Sequence, residues 1–169
     1  MADSFRAGTG ALIIAADGRV MVFQRSGDRR GWQFPQGGLD PGETPLDGVW
    51  REVGEETGLG REELELLAAA PDWMAYEYPE SIRAAKGQRG QVQRWFAFRF
   101  RGRDADIDLA AAADDEFRDW RWMTMADATA AVIPFKRDLY RRLAVEFCAH
   151  LKAGAAPADD EGNPGRRTS

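Results

Sequence analysis

The chain has 169 residues and a mass of 18.8 kDa, with 44% hydrophobic and 30% charged residues, which suits one domain with a packed core and leaves little for a second. Its single cysteine, Cys148, excludes an internal disulfide or a cysteine zinc site, and its single histidine, His150, argues against Ser-His-Asp and Cys-His chemistry, which needs an imidazole held by a third group. The net charge of −5 is carried by one segment: residues 37–59 hold Asp40, Glu43, Asp47, Glu52, Glu55 and Glu56 against Arg51 alone, and the rest of the chain balances.

In chain order, the apolar run 9–15, the Asp17-Gly18 pair and the apolar residues 20–23 predict a strand, a tight turn and a second strand. Residues 32–34 supply only a strand fragment, which Pro35-Gln36-Gly37-Gly38 breaks into a loop. The helix predicted over 45–57 has both ends written in the sequence, with Thr44 as N-cap, Pro45 at the first helical position, Asp47 completing a shortened capping box and Gly58 as the stop. Residues 64–70 predict a further strand, ended by Pro71. Residues 91–101 alternate, with Phe96, Phe98 and Phe100 on one face and Trp95, Ala97 and Arg99 on the other, and form the clearest strand of the chain.

After a polar, alanine-rich connection over 103–115, residues 120–123 predict another strand. Phe135, Leu139, Leu143 and Phe147 recur every four residues, the pattern of an amphipathic helix ending near Leu151. From Ala153 the composition turns to Ala, Pro, Gly, Asp and Glu, so a folded domain is expected over 1–152 and a disordered tail over 153–169. Strands and helices mixed without regular βαβ alternation predict an α/β chain, a mixed sheet covered by helices. No apolar run reaches the ~20 residues that cross a bilayer, and the start of the chain lacks a basic region followed by an apolar stretch, so a cytoplasmic location away from membranes is expected.

The acidic segment is either a solvated helix face or a site for hard divalent cations, which prefer carboxylate oxygen. At about 100° per residue, Glu52, Glu55 and Glu56 share one face of the predicted helix, while Leu46, Val49, Trp50 and Val53 share another that packs on a sheet. Gly48 on the acidic side leaves room for an approach to the backbone. A solvated face more comfortably alternates its signs, whereas here Arg51 is the sole base. Three carboxylates on a rigid element beside a Gly-rich turn suit Mg²⁺ or Mn²⁺ ions that grip phosphate oxygens.

Gly37, five residues, Glu43, seven residues, then Arg51-Glu52-Val53-Gly54-Glu55-Glu56-Thr57-Gly58-Leu59 resembles the complete 23-residue signature of the Nudix hydrolases. Seven fixed identities make a chance match rarer than about 10⁻⁸ per start position. The resemblance implies an α/β/α sandwich around a mixed sheet and metal-dependent attack of water on a diphosphate linkage, with Glu52, Glu55 and Glu56 as ligands of Mg²⁺ or Mn²⁺. Glu52 is the first choice for activating the water. Glu116 resembles a later acid that joins the metal cluster and stands second as proton acceptor; its other reading is a plain loop residue. Gly37, Arg51 and Gly58 shape the motif, and Glu43 either holds its loop through Arg51 or acts in catalysis.

Gly31-Trp32-Gln33-Phe34-Pro35-Gln36-Gly37-Gly38, Tyr76-Glu77-Tyr78-Pro79, Gly90-Gln91-Val92-Gln93-Arg94-Trp95-Phe96 and Phe135-Lys136-Arg137-Asp138-Leu139-Tyr140 resemble the RNA pyrophosphohydrolase and dinucleoside polyphosphate hydrolase branch. That resemblance implies conversion of a 5′-triphosphate or diphosphate RNA end to a 5′-monophosphate, initiating RNA decay. Hydrolysis of diadenosine tetraphosphate and related dinucleotides is the alternative, and the intact signature disfavours a non-catalytic nucleotide sensor. Arg25 and Lys136 are candidates for neutralising phosphates, Phe135 for stacking a base unless it is core, and Gln36 for a polar substrate contact. Trp32 and Trp95 are read as core, with contact to a base as the alternative, and Arg137, Arg141 and Arg142 as a positive patch. The sequence identifies no activating protein partner.

Overall fold

In the computed structural model, which describes residues 4–27 and 31–152, two long strands form the spine. β1 (Phe5–Ile14) and β7 (Gly90–Phe100) run parallel, in register from Phe5 opposite Gly90 to Ile14 opposite Arg99. β2 (Val20–Arg25) and β4 (Gln36–Gly38) pair antiparallel with β1, β5 (Leu64–Ala69) and β6 (Met74–Glu77) with β7, and β3 (Trp32–Gln33) and β8 (Phe117–Met123) with β2. The eight-stranded sheet is therefore mixed, as the chain's composition of elements predicts.

Alternation along the spine divides the core into two layers. Ala11, Ile13, Phe96 and Phe98 face α1 (Pro45–Thr57), which contributes Val49 and Val53. Leu12, Ile14, Trp95 and Ala97 join the layer of α3 (Met125–Ala131) and α4 (Arg137–Glu146), which contribute Ala128, Leu139, Tyr140 and Leu143. Helices on both faces make the α/β/α sandwich that the resemblance implies. No helix among the described residues is long and apolar enough to cross a membrane. The tail expected over 153–169 lies outside the described residues.

α1 begins and ends where its sequence says. The Thr44 hydroxyl accepts from the Asp47 N–H at 3.2 Å and donates to the Asp47 carboxylate at 2.7 Å, and Gly58 closes the helix at φ 73°, a left-handed conformation that favours glycine. Of its four apolar residues, Leu46 escapes the core and is 38% exposed, because it sits in the first turn beyond the sheet's cover.

Other expectations need correction. The 35–38 segment is a loop only at Pro35: β4 pairs Gln36, Gly37 and Gly38 with Gly10, Thr9 and Gly8, since the edge of β1 offers a ladder that local composition does not reveal. β6, α2 (Glu80–Lys86) and α3 were not expected, and β8 starts three residues earlier than predicted. Phe135 precedes the last helix, on a 3₁₀ turn (Pro134–Lys136), and α4 starts at Arg137. Pro35 marks a fork, where β3 stays with β2 and β4 crosses to β1, and its carbonyl accepts from the Ala11 N–H at 2.9 Å. The candidate site is built around this fork.

Candidate active site

Arg51 organises the acidic segment. Its Nε and Nη2 donate to the two oxygens of Glu43 at 2.7 and 2.8 Å, Nη2 also to the Gly38 carbonyl at 2.9 Å, and Nη1 to Glu52 at 2.9 Å and Glu55 at 3.1 Å. Glu43 further accepts from the Asp40 N–H at 2.9 Å. This is the loop-holding arrangement: a bidentate pair with little solvent access ties the loop after β4 to the middle of α1. The Arg51 hydrogen bonds hold the Glu43 carboxyl down to about 2, and the same bonds raise the Arg51 pKa further above its ordinary value. The space beside Gly48 is filled from within, since a Cβ there would lie 2.5 Å from Leu39 Cδ2 and 3.1 Å from Glu43 Oε2.

Deeper along the same helix the carboxylates lack such compensation. Glu56 is 5% exposed and accepts from the Gln36 N–H at 3.1 Å; burial first, then the charges of Glu52 and Glu116, raises its pKa well above the usual range. Burial also raises Glu52, against the pull of Arg51. The Glu52 carboxylate lies under Gly37 so closely that a Cβ there would be 2.0 Å from its Cδ, so only glycine fits. Glu116, at the foot of β8, pairs with Arg25 at 3.0 Å. Glu52, Glu56 and Glu116 line one basin of about 250 Å³ together with Gln36, Arg25 and three residues that sequence reasoning missed, Arg6, Lys86 and Asp114. Glu55 stays outside it, half-buried against Arg51.

The basin opens into a larger cavity of about 410 Å³, with Arg25, Gln33, Gln36, Lys86 and Gln91 lining both. Its walls are aromatic: Phe135 lies 5.9 Å from Tyr76 and 6.0 Å from Tyr78 between ring centroids, half-buried on one side and lining the cavity with the other. Lys136 is 5% exposed, with Nζ 5.2 Å from the Tyr76 ring centroid and 3.5 Å from Gln33 Oε1. Burial, with Arg25 nearby, lowers its pKa to about 7. Beneath lies a polar layer in which Gln93 Nε2 donates to Gln36 Oε1 at 3.1 Å and to Gln91 Oε1 at 2.8 Å, and Gln91 Nε2 donates to the Tyr78 hydroxyl at 2.8 Å.

The family description NUDIX domain matches residues 4–143. The chain belongs to the NUDIX family. It is 40% identical over 158 residues to an RNA pyrophosphohydrolase of Acidiphilium cryptum, covering 90% of this chain and 95% of that one. It is 37% identical over 165 residues to an RNA pyrophosphohydrolase of Halorhodospira halophila, covering 96% and 91%. In fold it is similar to a binary complex of a C. elegans Ap4A hydrolase, with a TM-score of 0.65 at 21% identity, over 85% of this chain and 98% of that one.

The Nudix carboxylates are thus divided in this structure. Glu52 and Glu55 are engaged by Arg51, Glu56 by a backbone N–H and Glu116 by Arg25, and among the described residues no three His, Cys, Asp or Glu side chains are gathered as a ready-made ion site. Divalent-metal dependence is general among Nudix hydrolases. The residues fit such an ion: among the described residues Glu56 is a buried carboxylate with no ion-pair partner, and the acids Glu52, Glu116 and Asp114 add to the negative charge around it. Of the basic residues expected on the last helix, Arg141 and Arg142 border a separate groove with Asp72 and Glu146, so they do not extend the Nudix site. Trp95 is core, fully buried, whereas Trp32 is half-buried on the cavity wall.

Proposed function

We propose that the chain hydrolyses the 5′-triphosphate or 5′-diphosphate end of RNA to a 5′-monophosphate in the cytoplasm, and so initiates RNA decay. The observation that carries this reading is the continuity between an acidic, Gly37-roofed basin and an aromatic, cation-lined cavity large enough for a nucleobase. The names of the two bacterial relatives support the same substrate class.

Glu52, Glu55, Glu56 and Glu116 would hold Mg²⁺ or Mn²⁺, with Glu55 and Glu116 turning from Arg51 and Arg25 to do so. When bound, the metal neutralises polyphosphate charge and makes water more acidic. The attacking water adds its oxygen to phosphorus, the anhydride P–O bond breaks, and the leaving phosphate or pyrophosphate carries off the bond's electrons. Glu52 accepts the water's proton; its burial, which raises its pKa, makes it a better base than an exposed carboxylate. Arg25, released by Glu116, and Arg6 and Lys86 meet the phosphate oxygens. Phe135 stacks the base, and Lys136, whose pKa burial lowers to about 7, is held in its charged form as phosphate arrives.

Hydrolysis of diadenosine tetraphosphate is the second reading, since the same basin takes its phosphates and the same cavity takes one adenine. Product analysis in Mg²⁺ or Mn²⁺, with triphosphorylated RNA and diadenosine tetraphosphate at equal concentrations, tests the order. Release of 5′-monophosphate RNA at the higher rate is expected. Turnover of the dinucleotide with no 5′-monophosphate RNA would overturn the first reading in favour of the second.

A further inference from the structure

We propose that Gln93 is a positioning residue, whose buried amide nitrogen sets which end of the Gln36 carboxamide meets the substrate's phosphates where the basin joins the cavity. The inference rests on the polyphosphate substrate of the reading above and applies to an RNA end and a dinucleotide alike. Gln36 and Gln91 line both spaces, whereas Gln93, fully buried on β7, lines neither. Both hydrogens of its Nε2 are committed, one to Gln36 Oε1 at 3.1 Å and one to Gln91 Oε1 at 2.8 Å.

A carboxamide has an acceptor end and a donor end of nearly the same shape, so its neighbours decide which end faces a ligand. Gln93 draws both oxygens inward. The Gln91 nitrogen then donates to the Tyr78 hydroxyl at 2.8 Å, and the Gln36 nitrogen is left on the side away from Gln93, at the junction of the two spaces. The main chain of Gln36 is fixed separately, by its N–H on Glu56 and by its place in β4 opposite Gly10, so only the side chain is left to turn. An ionised phosphate oxygen accepts and does not donate. The nitrogen end of Gln36 gains a charge-assisted hydrogen bond from it, and the oxygen end would be repelled.

Packing alone does not explain the arrangement, because Gln93 Oε1 is buried and has no hydrogen-bond partner among the described residues. Turning the Gln93 amide by itself would set its oxygen against two other oxygens. Turning all three amides together restores the bonds in reverse: Gln36 and Gln91 donate to Gln93 Oε1, and the Tyr78 hydroxyl donates to Gln91 Oε1. That state shows the phosphates the oxygen of Gln36. It also orphans a nitrogen with two hydrogens in place of one oxygen, the costlier of the two, so the observed direction is the preferred one.

Gln93→Glu is the sharpest test, since it keeps the shape and leaves only oxygen at the centre of the network. Gln36 and Gln91 must turn their nitrogens to it, so the hydrogen bonds survive with their direction reversed. kcat and KM are measured in Mg²⁺ on a triphosphorylated oligonucleotide and on diadenosine tetraphosphate for the wild type, Gln93→Glu, Gln36→Ala and the double variant, with melting curves for all four. Gln93→Glu and Gln36→Ala should each lower kcat/KM by at least about ten-fold, the scale of one hydrogen bond to a charged group, through KM with kcat kept. Once residue 36 is alanine, Gln93→Glu should cost no more than about two-fold further, because its effect passes through Gln36. A folded Gln93→Glu with the wild-type KM would overturn the positioning role. So would a full loss that persists in the Gln36→Ala background, which would assign the effect to the added charge. If Gln93→Glu fails to fold, Gln93→Met takes its place: it leaves the Gln36 side chain unheld, and KM should rise about three-fold, again only while Gln36 is present. A wild-type KM for that variant would overturn the role equally. Failure to hydrolyse RNA would remove the RNA reading and leave Gln93 to be decided on the dinucleotide.

Discussion

The carboxylate basin and the aromatic cavity touch, yet they are assembled in opposite ways. Two of the basin's four acids, Glu52 and Glu56, come from one helix, and the acidic segment around them is held by a single guanidinium, Arg51, which bonds Glu43, Glu52, Glu55 and the Gly38 carbonyl. The cavity draws Trp32 from β3, Tyr76 from β6, Lys86 from α2 and Phe135 from the turn before α4, pieces more than a hundred residues apart. Chemistry that needs fixed charge spacing is well served by one rigid helix, whereas a pocket that must match a substrate's shape can be gathered from separate loops. If this division holds, damage to the basin should appear in kcat for every substrate, and damage to the cavity in kcat/KM for particular ones.

The largest expected effect is therefore Glu52→Gln, which should keep the fold and lose at least about 100-fold in kcat on RNA and dinucleotide alike. Turnover near the wild-type rate in saturating Mg²⁺ would remove Glu52 from the role of base. Phe135→Ala comes next, with a loss of about ten-fold in kcat/KM on triphosphorylated oligonucleotides. Since Phe135 is only half-buried against Tyr76 and Tyr78, its stability loss should fall below the ~3–5 kcal/mol of a fully buried phenylalanine. A loss of that full size with unchanged kcat/KM would make Phe135 a packing residue.

The same contrast governs what the sequence could reveal. Helix α1 is legible because its cap, its first proline, its stop and its carboxylate spacing are local, and all of them stand where the pattern puts them. The Thr-x-x-Asp cap recurs at Thr124 and Asp127, where the hydroxyl accepts from the Asp127 N–H at 3.1 Å, and it marks α3 equally well. On its own that signal does not predict a helix, because the segment behind it has only seven residues and no apolar stripe. The alternation of Met74, Tyr76 and Tyr78, all buried, likewise marks β6. β4 and Asp114 are different: nothing local distinguishes a glycine-rich ladder segment or a loop acid, and only pairing with β1 and the bond from the Asp114 N–H to the Glu55 carbonyl, 2.9 Å, bring them to the site.

Within the basin, Glu56 and Glu43 give the comparison its finest form, because their environments push in opposite directions. Glu56 has a raised pKa, so its contribution to stability is present when it is protonated and is lost as pH rises through the folded value. Without metal, Glu56→Gln should accordingly melt higher than the wild type at pH 8, with the advantage disappearing below about pH 4, where both forms are neutral. Mg²⁺ should raise the wild-type melting temperature by linkage and raise that of Glu56→Gln less. Equal Mg²⁺ shifts in both proteins would place the ion away from Glu56.

Glu43 titrates the other way. Its pKa is lowered from 4.5 to about 2 by Arg51, so its contribution is complete above pH 4.5 and is lost as pH falls toward 2. Glu43→Gln should melt below the wild type at neutral pH, and the gap should close between pH 4.5 and 2, a window in which other acids titrate in both proteins and cancel in the difference. The gap should be modest, because Arg51 keeps the Gly38 carbonyl, Glu52 and Glu55 when Glu43 is gone. The consequence for catalysis is indirect: an Arg51 freed from its bidentate partner is held more firmly by Glu52 and Glu55, the residues proposed as base and metal ligand. Glu43→Gln should therefore require more Mg²⁺ for half-maximal activity while its kcat at saturation stays within a few-fold of the wild type. A kcat loss as deep as that of Glu52→Gln would instead put Glu43 among the reacting groups.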